Sequence, residues 1–249
     1  MRRAAPFLGL LVFTALWDLA VRWTGAPFVP SPWEAVQGIV ELAQRGLLLK
    51  YVVASLFRVT WGYLLAVFIA IPFGIALGMS QRAEATVSPL LQLLRPISPL
   101  AWIPIAILWF GVGDLSAVFL IFLASFFPLA VAAMLAVREV DGVHLRAGLN
   151  FGMPRWQLIV RVVLPSIVPQ LIVSMRIVLG IAWLVVVAAE MIAVSSGLGF
   201  LIIDARNAGN RYDLVVAGML LIGLIGVALD LFMRRLERLD FVRWGYLEG

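Results

Sequence analysis

Six stretches of roughly 20 mostly apolar residues follow one another along this chain, and a helix of that length crosses a lipid bilayer. They are Pro6–Val21, Val52–Met79, Leu90–Phe110, Leu115–Val137, Leu164–Val194 and Leu214–Met233. The 249 residues are 63% hydrophobic and only 13% charged, against roughly half apolar and a quarter charged in a soluble domain. One core of this size cannot hide such an excess, so lipid must solvate much of it. The implied fold class is an all-α membrane protein with six transmembrane helices. The first stretch follows Met1-Arg2-Arg3 but shows no small-residue cleavage site before Trp17 and Asp18. It therefore reads as a retained helix and not a signal peptide.

What the chain lacks narrows its chemistry. Without cysteine it forms no disulfide, thiolate metal site or cysteine nucleophile. His144 is its one histidine, too few for a serine-histidine triad or a multi-histidine metal site. Lys50 is the one lysine, and no Gly-Lys-Ser/Thr occurs, so a lysine-based phosphate loop is excluded. The chain reads as a transport subunit and not an enzyme, with no catalytic residue, metal or cofactor of its own. If ATP drives it, another chain hydrolyses the ATP. The net charge of +5 comes from arginines scattered among apolar spans, not gathered on one face as in a nucleic-acid binder.

Those arginines set an orientation. With the N-terminus in the cytoplasm, the inner segments hold Arg2, Arg3, Arg82, Arg138, Arg146, Arg155, Arg161, Arg234, Arg235, Arg238 and Arg243. The outer segments hold Arg22, Arg45, Lys50, Arg206 and Arg211. Eleven basic residues against five place both termini, and the loop between the fourth and fifth spans, in the cytoplasm. The organisation that follows is an N-terminal transmembrane helix over 1–29, a periplasmic interfacial segment over 30–50, a transmembrane domain over 51–236 and a cytoplasmic tail over 237–249. In the interfacial segment Ser31 is placed to cap a short helix with Pro32 at its first position.

The loop over 138–163 is too polar to span, yet Leu145, Leu149, Trp156, Ile159, Val160 and Val163 recur at helical spacing. Gly148 and Gly152 interrupt it, and Pro154 can open a second short helix. Two short helices against the inner face of a membrane domain form a docking surface; an ordinary interfacial helix pair is the plainer alternative.

This loop resembles the cytoplasmic EAA loop of ABC-importer permeases, whose pattern is Glu-Ala-Ala, three residues, Gly, nine residues, Ile, any residue, Leu-Pro. Here Arg146-Ala147-Gly148 is followed by three residues, Gly152, nine residues, then Val162, Val163 and Leu164-Pro165. The spacing is kept, while Arg146 replaces the glutamate and Gly148 the second alanine. Between Pro30 and Leu236, the runs Ser55-Leu56-Phe57-Arg58, Arg95-Pro96-Ile97-Ser98-Pro99, Trp109-Phe110-Gly111-Val112-Gly113 and Ala189-Glu190-Met191 resemble the nitrate/sulfonate/taurine/bicarbonate branch of these permeases. The resemblance implies the type I importer permease fold (MetI-like), with cytoplasmic coupling helices, in a bacterial inner membrane. It implies a homodimer of this chain, two ABC ATPase subunits carrying ATP and Mg²⁺, and a periplasmic or lipid-anchored substrate-binding protein. The implied solute is a small anion such as nitrate, a sulfonate, taurine or bicarbonate; a pyrimidine-like or aromatic solute is the alternative. The residues the resemblance places against the ATPase are Arg146, Ala147, Gly148, Gly152, Pro154, Arg155, Leu164 and Pro165. Leu164-Pro165 is then expected to fix where the fifth span begins, and Gly152 to permit a tight bend.

Charges at membrane depth are costly and face the protein interior or a wet path. Arg176 and Glu190, fourteen residues apart on the fifth span, lie roughly 21 Å apart along its axis and cannot pair. A buried Arg58–Glu190 pair is the preferred reading. Arg58 or Arg176 as an electropositive step for an anion, or Arg176 snorkelling to the headgroups, are the alternatives. Arg95 with Pro96, Pro99 and Pro104 implies a kinked or broken third span, either packed or lining a cavity. Gly74 and Gly78 read as small-residue packing, Trp17, Trp23, Trp33 and Trp109 as interfacial anchors, and Asp114 as a helix cap.

Two other classes remain. A secondary transporter would need no ATPase but usually shows inverted repeats and more spans, and no internal repeat is evident. A membrane-embedded enzyme would need clustered ionisable side chains that this sequence lacks.

Overall fold

The computed structural model describes residues 5–25 and 28–237. Every regular element among them is helical, as a bilayer demands of segments that must satisfy their own backbone. In chain order these are α1 (Ala5–Thr24), α2 (Pro32–Gln44), α3 (Leu47–Gly78), α4 (Gln81–Leu94), a 3₁₀ turn (Pro99–Trp102), α5 (Ile103–Phe110) and α6 (Asp114–Arg138). Then come α7 (Gly142–Asn150), α8 (Arg155–Leu158), a π-helical turn (Ile159–Val163), α9 (Leu164–Ala193), α10 (Leu198–Asn207) and α11 (Tyr212–Glu237).

Four described helices are long and apolar enough to cross a membrane: α3, α6, the continuous stretch Arg155–Ala193, and α11. The pair made by α4 and Pro99–Phe110 adds a fifth if both halves belong to one span. The expected first span falls on α1, which is exposed along most of its described length. Beyond Glu237 the expected tail, with Arg238 and Arg243, lies outside the described residues, as do Arg2 and Arg3.

The third stretch, Leu90–Phe110, is broken, one of the two outcomes its prolines implied. Its two halves meet at 84°. Pro96 and Pro99 lack amide hydrogens, and a proline disfavours helical geometry in the residue before it. Arg95 keeps helical dihedrals ahead of Pro96, whereas Ser98, ahead of Pro99, leaves them at ψ 130°; the helix restarts with Pro99 in its first turn, where Ser98 Oγ accepts from Leu100 N–H.

The core is built on close approach of α3 and α6. A Cβ on Gly62 would lie 2.7 Å from the Ile121 Cβ, and one on Gly78 would lie 2.7 Å from the Val137 Cβ. One on Gly74 would run into the Ala130 carbonyl. Across this seam α6 presents the buried small residues Ala117, Ala124, Ala130 and Ala133. Without a hydrophobic force between helices in lipid, such small-residue contacts supply the packing.

At one end of the bundle α2 packs across the start of α11. Ser31 caps α2 by accepting from Glu34 N–H, and Glu34 Oε2 accepts in return from Ser31 N–H at 2.7 Å. This reciprocal capping box fixes where α2 begins.

Candidate functional site

Two groups of residues stand out, one at each end of α9. The first is the elbow formed by α7 and the start of the Arg155–Ala193 helix. Asp141 caps α7, its Oδ1 accepting from Val143 N–H at 2.8 Å. The other end closes with Met153 N–H donating to Gly148 O at 3.1 Å and Gly152 N–H donating to Leu149 O at 2.9 Å. That pair of bonds is a Schellman cap, which calls for a left-handed residue, and Gly152 supplies it with φ +72°. Gly148 is buried because Leu158 folds over it; a Cβ there would lie 2.6 Å from Leu158 Cδ1. The glycine that departs from the family alanine thus has a local packing cause.

Arg146, Ala147, Arg155 and Trp156 are exposed on the elbow, together with Leu149 and Phe151. Among the described residues, Arg146 and Arg155 make no ion pair. His144 is also exposed.

The second short helix expected here is not separate. Pro154 lies in extended geometry and Arg155 begins a helical stretch of 39 residues that runs without a break to Ala193. Leu164-Pro165 therefore does not start the fifth helix. Pro165 cannot donate a helical hydrogen bond, and the turn before it widens to π spacing, with Leu164 N–H donating to Ile159 O. The wider turn accommodates the proline without a break. At 1.5 Å per residue the stretch is roughly 58 Å long, well beyond the roughly 30 Å hydrocarbon layer. One continuous helical rod thus joins the elbow to the bundle core.

The second group lies at the opposite end of α9. Glu190 is 0% and Arg58 2% exposed, and Arg58 Nη1 donates to Glu190 Oε1 at 2.6 Å. Glu190 Oε2 accepts from Ser55 Oγ at 2.8 Å and from Gly199 N–H at 2.9 Å. Ser55 Oγ accepts in turn from Leu198 N–H at 3.0 Å. Arg58 also donates to Ser196 O at 2.7 Å and to Ser196 Oγ at 2.6 Å, while its Nε donates to Asp114 Oδ1 at 2.8 Å. The cluster therefore ties α3, α6, α9 and α10 at one point. Asp114 is the first residue of α6 and does not cap it; its carboxylate turns to Arg58 because the guanidinium offers a charge-assisted partner. Gly197, at φ +106°, and Gly199 close directly on the Glu190 side chain and leave no room for a Cβ at either position.

Ser55, Ser196 and the α10 amides were not singled out by sequence reasoning. One signal was present: Ser55 precedes Arg58 by three residues, the spacing that puts both on one helix face. Arg176 stands apart from this cluster. Its Nη1 donates to Glu237 Oε2 at 3.0 Å and its Nε lies 3.7 Å from Asp230 Oδ1. It thus joins α9 to α11.

Beyond the spans, Arg211 Nη2 donates to Glu41 Oε2 at 2.5 Å and to Asp213 Oδ2 at 2.7 Å. The hydrogen bonds from Arg211 hold the Glu41 carboxyl below its ordinary range. No group of three or more His, Asp or Glu side chains among the described residues is placed to hold a metal ion.

Residues 52–239 match the family described as "Binding-protein-dependent transport system inner membrane component", and the chain belongs to that family of ABC-importer permeases. It is 35% identical to the taurine transport system permease protein TauC of Escherichia coli, over 92% of this chain and 85% of that protein. It is 34% identical to the putative aliphatic sulfonates transport permease protein SsuC of Bacillus subtilis, over 94% of this chain and 84% of that protein. The fold matches a chain of a bacterial ABC transporter involved in import of the acidic polysaccharide alginate, with TM-score 0.66 and 18% identity, over 95% of this chain and 96% of that one. The chain is accordingly an all-helical membrane permease of the ABC importer class.

Proposed function

We propose that this permease imports a small anion of the sulfonate or related oxyanion class, and that a separate ATPase drives it through the α7 elbow. The observation that carries the mechanism is the elbow itself: a capped helix with exposed apolar and basic side chains, joined to a helical rod that continues into the core. The solute class is supported by the relatives named for taurine and aliphatic sulfonates.

Six spans make up the bundle, with α1 as the first and the bent α4–α5 pair as the third, and both termini face the cytoplasm. Two copies of the chain line one path. Two ATPase subunits bind ATP and Mg²⁺, and each receives one elbow. A periplasmic or lipid-anchored protein delivers the solute to the opposite face. Arg146 and Ala147 face the ATPase; Gly148, Gly152 and Pro154 set the shape of the elbow; and Arg155 opens the rod, which turns nucleotide-driven motion into tilting of α9. With Leu164-Pro165 inside the rod, the π turn at Ile159–Val163 is the place where it can flex. Arg146 reverses the charge of the family glutamate, so the receiving groove on this ATPase offers an acidic or neutral surface there.

Because the chain has no cysteine, Ala147→Cys gives a single exposed thiol for cross-linking in membranes that also contain the ATPase. A cross-linked permease–ATPase product is expected from Ala147→Cys and not from Phe13→Cys on α1. Equal cross-linking at both positions, or none at Ala147→Cys with the complex assembled, refutes the assignment of the elbow.

A further inference from the structure

Three arginines lie inside the six apolar runs: Arg58, Arg95 and Arg176. Two are neutralised: Arg58 by Glu190 and Asp114, and Arg176 by Glu237 and Asp230. The third, Arg95, makes no ion pair among the described residues. It closes α4 where the chain turns through 84°, and it lines a cavity of about 390 Å³.

The facing walls of that cavity come from Leu123 to Pro128 on α6 and from Ile177 to Ile181 on α9. These segments are the middle third of each helix, so the cavity lies midway along the bundle. Arg95 is the one charged residue among its lining groups. An unpaired guanidinium facing hydrocarbon at that depth is strongly disfavoured, so this wall faces water or protein. Pro96 and Pro99 carry no amide donor, and of the two lining side chains that can donate, Arg95 and Trp102, Arg95 alone is charged. Its fixed fork suits a sulfonate or other oxyanion.

Two other cavities are larger, but neither lies at mid-depth. One, about 480 Å³, opens between the first turns of α3 and α6, where Lys50 stands beside an Arg58 already paired with Asp114 and Glu190. The other, about 630 Å³, carries Glu34, Glu41 and Asp213 beside an Arg211 already paired with two of them. The one beside Arg176 measures about 60 Å³ and includes Asp230, too small and already balanced in charge.

We propose that the mid-depth cavity is an anion-holding chamber on the transport path, with Arg95 as the positioning charge that admits a sulfonate or related oxyanion. The proposal rests on the reading of this permease as an importer of small anions.

A single thiol tests it. Ile181→Cys, in an otherwise cysteine-free full chain in membrane vesicles, is modified with an anionic methanethiosulfonate (ethylsulfonate) and a cationic one (ethyltrimethylammonium). Both reagents attack the same thiol, so their rate ratio cancels changes in thiol reactivity and reports local charge. The ratio is expected to favour the anion more strongly than for the reference thiol, free 2-mercaptoethanol in the same buffer. It is expected to fall about tenfold with Arg95→Gln, because the lost charge acts with opposite sign on the two reagents, and to recover with Arg95→Lys. Arg95→Met serves in its place if Arg95→Gln does not reach the membrane.

A thiol that neither reagent reaches, no anion preference over the reference, or a ratio unchanged by removing Arg95 overturns the proposal. Taurine is added as a protecting solute to separate the two readings. Anion preference that depends on Arg95, without protection by taurine, upholds the chamber and rejects taurine as the solute.

Discussion

Replacing Arg58 with glutamine would leave the Glu190 carboxylate wholly buried, with only Ser55 Oγ and Gly199 N–H as donors. Replacing Glu190 with glutamine is milder, because Arg58 keeps Asp114, whose side chain is 57% exposed, together with both Ser196 oxygens. Removing one partner of a buried pair costs about 3–5 kcal/mol, and a chain of this size loses about 2–4 °C per kcal/mol. Arg58→Gln should therefore lower the unfolding midpoint in detergent by roughly 10 °C, and Glu190→Gln by clearly less. The double variant should recover part of the sum, with a coupling of about 2 kcal/mol. Intrinsic fluorescence of the nine tryptophans follows the transition. The reciprocal exchange, Arg58→Glu with Glu190→Arg, is a poorer test: Gly197 and Gly199 close on position 190, and Asp114 would face a second carboxylate. A shift below about 2 °C for Arg58→Gln, or a larger loss for Glu190→Gln, would refute the reasoning.

Three further outcomes follow. Gly152 has open space around it but a left-handed φ of +72°, so Gly152→Asn should be tolerated, whereas Gly152→Val, strained by about 1–2 kcal/mol, should lower solute carried per ATP hydrolysed. Equal coupling ratios in the two variants would contradict the Schellman cap as the reason for this glycine. Gly74→Ala should lower the unfolding midpoint by several degrees, since the added methyl meets the Ala130 carbonyl; an unchanged midpoint counts against close α3–α6 packing. Glu41, held below its ordinary pKa of 4.5 by Arg211, favours the folded state above that pH and loses the contribution as pH falls through its depressed value. Protection factors of the α2 amides, corrected for the intrinsic slowing of exchange in acid, should therefore fall below pH 4.5 in the parent chain, and Arg211→Gln should remove most of that acid-dependent change.

Much of the architecture was legible because lipid leaves few choices. A long apolar run must be helical, so α3, α6, α9 and α11 follow from run length alone, and Ser31-Pro32 marked the start of α2. What the sequence hid was continuity. Pro165 reads as a helix start, but a π turn lets the helix pass through it, and no periodicity distinguishes the two. At Arg95–Pro99 the reverse holds: prolines announced a break, while its 84° angle depends on packing against α6 and α9. The buried cluster was half visible. Two unlike charges at membrane depth suggest partners, but Ser196 and the α10 amides carry no signal until the loop after α9 folds back. Asp114 looked like a cap because local rules cannot see Arg58, 56 residues earlier.

The most direct measurement is uptake of radiolabelled taurine into proteoliposomes holding this chain, its ATPase and its binding protein, with ATP either supplied or withheld. Accumulation that needs ATP, all three components and an intact elbow is the predicted result. Accumulation by the chain alone, driven by an ion gradient and indifferent to ATP, would contradict the claim that a separate motor moves this bundle.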